Sequence, residues 1–142
     1  MDGVQMLKAV ELRPRNDSEK ITINLGHVDL GHIDLMVQEG FYSNRTDFIR
    51  TAIRRQLERH ADAAERAIVR KKVELGLRHF SREDLEEVRA TGQMLDIRVL
   101  GLASIANDVT PELACATIGS IAVLGALHAS SAVKSALADR IR

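Results

Sequence analysis

The sequence predicts an α+β protein in two parts: a strand followed by two helices, then a small α/β repeat domain of short, solenoid-like units. Three observations carry this reading. "EKITINLG", residues 19–26, alternates apolar and polar side chains, and the residues after it recur at helical spacing. Leu75–Gly76, Leu100–Gly101 and Leu124–Gly125 each centre a strand-like run, with the glycines 25 and 24 residues apart. Each of these runs precedes a helix-start signal, so one strand and one helix recur with a period of about 24 residues.

Taken in order, residues 1–18 are polar, loosely patterned and read as a flexible arm in which Arg13 and Arg15 have two equal readings, minor-groove or phosphate contacts to nucleic acid and an ordinary solubilising tail. The strand follows, with Ile21, Ile23 and Leu25 on one face and Lys20, Thr22 and Asn24 on the other. Leu30, Ile33 and Val37 then fall at i, i+3 and i+7, an amphipathic helix stopped by Gly40. After "FYSN", Ile49, Ile53 and Leu57 recur every four residues with Phe48 and Ala52 alongside, and the helix is expected to run past His60 toward Ile68. Its cap is Ser43 or Asn44; Asn44 with Asp47 three residues later makes a capping-box variant. In the rear part, Ser81, Thr110–Pro111 and Ser130–Ser131 start the three helices, and the end strands are left as pairing edges. The expected divisions are the arm at 1–18, a strand-helix-helix domain at 19–68 and the repeat domain at 69–142. An ordinary small α/β domain whose units resemble one another by accident is the alternative to repeats.

Composition narrows the function. With 45% hydrophobic and 28% charged residues the chain is globular, and at 3% aromatic its core is aliphatic. Formal net charge is zero, which counts against a nucleic-acid binder unless charge is segregated. It is segregated: Asn44 to His60 holds five Arg against two acids, whereas Gly92 to Val133 holds only Asp96, Arg98, Asp108 and Glu112. One cysteine excludes an internal disulfide, and with neither a signal-type N-terminus nor a run of about 18 apolar residues the expected setting is cytoplasmic, away from membranes.

A lone strand leaves its N–H and C=O groups unpaired, and no second strand lies within hairpin reach. Two copies of "KITINL", antiparallel across a two-fold axis, satisfy each other. Their polar faces then form one ribbon, which fits the DNA major groove. There Asn24 suits adenine, Lys20 guanine, and Thr22 a polar edge or a thymine methyl.

On "KITINLG", "VDLGHIDLMVQEG" and "GFYSNRTDFIRTAIRRQL" the chain resembles the ribbon-helix-helix transcription factors of the Arc/MetJ/CopG type, over about residues 19–60. Gly40, Phe41, Asn44, Arg45, Thr46, Asp47, Ile49 and Arg50 match the turn between the family's helices, with one extra residue at Tyr42–Ser43. The resemblance implies an obligate intertwined homodimer and base reading by Lys20, Thr22 and Asn24. It also implies phosphate binding by Ser43, Asn44, Arg45 and Thr46 at the second helix's N-terminus. Arg50, Arg54, Arg55 and Arg59 read as a solvated face.

No enzyme, metal site or cofactor is expected. His27 and His32 are five apart, outside the spacing of helical ligand pairs, while His60, His79 and His128 are scattered. Cys115 reads as a small buried residue. The expected function is a DNA-binding repressor or autoregulator whose repeats join dimers into larger assemblies. The rivals are an antitoxin whose rear half binds a toxin protein, and a self-assembling scaffold.

Overall fold

The computed structural model describes residues 18–142; the arm with Arg13 and Arg15 lies outside the described residues. The chain forms two compact units, one ending at Gln56 and the other spanning Leu57–Arg142.

In the first unit, residues 19–26 carry no strand pairing among the described residues. Helix α1 (His27–Gln38) follows, with Gly26 as N-cap and Asp29 in its first turn, where a carboxylate favours the positive helix end. It stops as the sequence predicts. Gly40 takes a φ of 83°, and the Phe41 and Gly40 N–H groups return to the Met36 and Val37 carbonyls at 3.0 and 3.1 Å, a Schellman closure. Tyr42 then meets Phe48 edge-on, with ring centroids 4.9 Å apart. Helix α2 (Arg45–Arg59) begins one residue after Asn44.

The expected continuation of α2 toward Ile68 is broken at one residue. His60 leaves helical dihedrals, and a separate helix α3 runs over Ala61–Lys71. A one-residue break barely disturbs the apolar period, so spacing alone does not reveal it.

The first unit has almost no interior of its own. Among its described residues only Ile33 is buried, whereas Ile21 is 73% and Ile23 59% exposed, and Val28, Phe41 and Ile53 also face water.

The second unit continues with β1 (Glu74–Phe80), α4 (Arg82–Thr91), β2 (Leu95–Ile105), α5 (Pro111–Thr117), β3 (Ile118–His128) and α6 (Ser131–Ala136). The three strands make one parallel sheet in the order β1-β2-β3. Local chemistry sets each helix start. Ser81 and Asp84 form a reciprocal capping box, Thr110 accepts from the Leu113 N–H with Pro111 behind it, and Ser130 accepts from the Val133 N–H.

Phe80, Ile97, Val99, Ala103, Ile105 and Ile121 line one sheet face and pack in a single core with Leu85, Leu113, Ala114 and Val133 of the helices and with Leu137, the C-cap of the last one. The other register positions face away: Leu75, Leu100 and Leu124 form one row, Leu77, Leu102 and Ala126 the next. Thr117, fully buried, donates from its hydroxyl to the Leu113 carbonyl at 2.7 Å, which removes the cost of an unpaired buried polar group.

Gly76, Gly101 and Gly125 pair across the sheet in one line, with φ values of 119°, 136° and 123°. A Cβ at Gly101 would lie 2.1 Å from the Gly76 carbonyl oxygen, and one at Gly125 the same distance from that of Gly101. Only glycine allows both the conformation and this approach.

Beyond α6 the backbone returns to the sheet. The Ile121 N–H donates to the Arg140 carbonyl at 3.0 Å, the Arg142 N–H donates to the Ile121 carbonyl at 2.9 Å, and Ile141 bridges Ile121 in parallel. The Arg140 guanidinium donates to the carbonyls of Cys115 and Ile118 at 2.6 and 2.8 Å, tying this segment to the end of α5.

Candidate nucleic-acid interface

Lys20, Thr22 and Asn24 are exposed and alternate with the exposed Ile21 and Ile23. An extended backbone places the three polar side chains on one face. The apolar alternates stand in water, uncovered among the described residues.

The turn before α2 is built from paired groups. The Asn44 side-chain oxygen accepts from the Asp47 N–H at 2.8 Å, so the cap is Asn44 rather than Ser43. The Asp47 carboxylate in turn accepts from the Ser43 N–H at 2.9 Å. The backbone N–H groups of Arg45 and Thr46 come before the capped one, in the stretch of a helix that has no intrahelical acceptors. Ser43, Asn44, Arg45 and Thr46 are all exposed there, so the four residues expected at phosphate share one end of one helix.

Arg45 carries a feature the sequence does not reveal. Its guanidinium makes a two-pronged ion pair with Asp34 on α1, Nε to Oδ1 at 2.7 Å and the terminal nitrogen to Oδ2 at 2.8 Å. The hydrogen bonds from Arg45 hold the Asp34 carboxyl below the usual carboxylate range, and the same contact raises Arg45. Both side chains are about half exposed, so the pair is solvent-screened and fastens the turn weakly. A separation of eleven positions along the chain hides the pairing from any i, i+4 rule. Arg50, Arg54, Arg55 and Arg59 are exposed along α2.

A model of the Ribbon-Helix-Helix transcriptional regulator family matches residues 16–134, most of the chain. The chain belongs to this family. No match was found among curated proteins or solved structures. The ribbon-helix-helix match reaches well past residue 60 and takes in the parallel sheet, so the rear unit falls within the family's pattern. Ribbon-helix-helix regulators bind DNA as dimers, which accords with the incomplete interior of the first unit. Among the described residues no cluster of three His, Cys, Asp or Glu side chains is placed to hold a metal ion, and no helix is long and apolar enough to cross a membrane.

Proposed function

We propose that this ribbon-helix-helix protein is a sequence-specific repressor or autoregulator. It reads the major groove with an antiparallel ribbon formed by residues 20–25 of two copies. The observation that carries the reading is the alternation of exposed Ile21 and Ile23 with exposed Lys20, Thr22 and Asn24 in a segment that pairs with no strand among the described residues. Pairing with a second copy satisfies the backbone, gives the isoleucines an interior and leaves the polar row facing bases. The N-terminus of α2, with Ser43, Asn44, Arg45 and Thr46, sets the ribbon's register on phosphate.

The rear unit is read as a short strand-helix repeat that joins dimers. One ribbon covers only a few base pairs, and linking dimers raises the effective concentration at neighbouring half-sites. The three glycines in one register line and the repeated cap-helix-strand order support this reading.

Binding to an operator library tests the DNA reading. Asn24→Ala should cost about 1–3 kcal/mol on the preferred site and flatten the preference at the position it contacts. Equal affinity of wild type and Asn24→Ala for every library member would remove the base-reading role.

A further inference from the structure

Strand β1 is the outer edge of the sheet, and its Gly76 differs from the two glycines beside it. All three have positive φ, but the Cβ positions of Gly101 and Gly125 each face the preceding strand's glycine carbonyl. The corresponding position at Gly76 has nothing within 4 Å. At the opposite edge, the outer side of β3 pairs among the described residues at Ile121, with Arg140–Arg142, and has no strand beside it further on.

These edges match in length as well as in shape. The internal registers align Glu74 with Val99 and Val99 with Val123, then Ser104 with His128. One more step of the same kind would lay Glu74–His79 of a second copy along Val123–His128, just past the stretch that Arg140–Arg142 cover. The seven-residue β1 is shorter than the eleven-residue β2 and β3, and the positions it lacks are at the N-terminal end, where the other copy's edge is already occupied.

We propose that the outer edge of β3 receives β1 of a second copy of this chain, parallel and head-to-tail, with the Gly125 carbonyl seated against Gly76 as the two internal glycine steps already are. This deepens the assembly reading above and rests on it. It also sets what the assembly is. A two-fold dimer uses the same patch on both partners, whereas a head-to-tail contact leaves one sheet edge of each copy open. The contact therefore links ribbon dimers to further dimers, continuing the Leu75–Leu100–Leu124 row from copy to copy.

Disulfide trapping in the full-length chain tests this, in a Cys115→Ser background. Leu77 and Ala126 occupy one register row with β2 between them, so within a chain they stand two strands apart, about 10 Å. That exceeds disulfide reach, while across the proposed contact they are direct neighbours at about 5 Å. The double variant Leu77→Cys/Ala126→Cys should give a ladder of species in 15.7 kDa steps on a non-reducing denaturing gel. A mixture of the two single variants should stop at a cross-linked pair, and neither single variant alone should cross-link. Cross-linking of Leu77→Cys with itself would overturn the proposal in favour of a symmetric contact through the sheet face or edge. Sedimentation of the unmodified protein separates the two levels. Species above dimer without the ladder overturn the edge geometry alone, and a dimer at every concentration overturns the assembly reading with it.

Discussion

At the scale of single residues, the informative groups are those already committed to a partner. Arg45 is gripped by Asp34, so a phosphate reaching the start of α2 competes with a carboxylate for the same guanidinium fork. Removing the carboxylate should free it: Asp34→Ala is expected to tighten binding to all DNA sequences alike and to steepen the salt dependence, read from affinity at several ionic strengths. Arg45→Ala should do the reverse. The glycine column makes a second residue-scale prediction. Gly101→Ala brings both a forbidden backbone conformation and a carbonyl at 2.1 Å, and should lower stability by about 2–4 kcal/mol in urea unfolding. Within one chain Gly76→Ala meets only the conformational cost, and it should lose about 1–3 kcal/mol in the unassembled protein. Glycine spacing was legible in the sequence; that these glycines nest on one another's carbonyls was not, because sequence carries no register.

At the scale of elements, helix ends were the most legible feature. Ser81, Thr110–Pro111 and Ser130 cap the helices expected of them, and Gly40 ends α1, because caps act within a few residues and leave local signatures. Ser81→Ala should destabilise the rear unit by about 1 kcal/mol in chemical denaturation, through loss of the bond to the Asp84 N–H. The same box predicts acid sensitivity. Hydrogen bonds from the Ser81 backbone and side chain hold the Asp84 carboxyl below its usual range, and the Ser120 hydroxyl, with Arg98, does so for Asp96. A carboxylate lowered on folding stabilises the native state above its unfolded pKa, and that contribution fades as pH falls through the folded one. Thermal melts of the rear unit should therefore hold level near neutrality and fall below about pH 4, less steeply in Asp84→Asn. The break at His60 lies at this scale too and escaped the sequence, since helices α2 and α3 share one apolar period across it.

At the scale of the whole molecule, the first unit exposes Ile21, Ile23, Val28, Phe41 and Ile53, so its stability should depend on chain concentration. Its melting midpoint, followed by circular dichroism, should rise with each tenfold increase in protein, as for any fold completed by association. A concentration-independent midpoint would mean the unit is stable alone. By itself the sequence determined the order of elements apart from the break at His60, the caps of the rear helices, the aliphatic core and the family resemblance, because periodicity, capping and turn chemistry act over short stretches of chain. Only the tertiary structure decided that the three strands are parallel with their glycines in line, that Asp34 holds Arg45, and that Arg140–Arg142 pair with β3 at Ile121. Those depend on which distant residues meet, and that is settled by packing and backbone pairing across the fold rather than by neighbours in the chain.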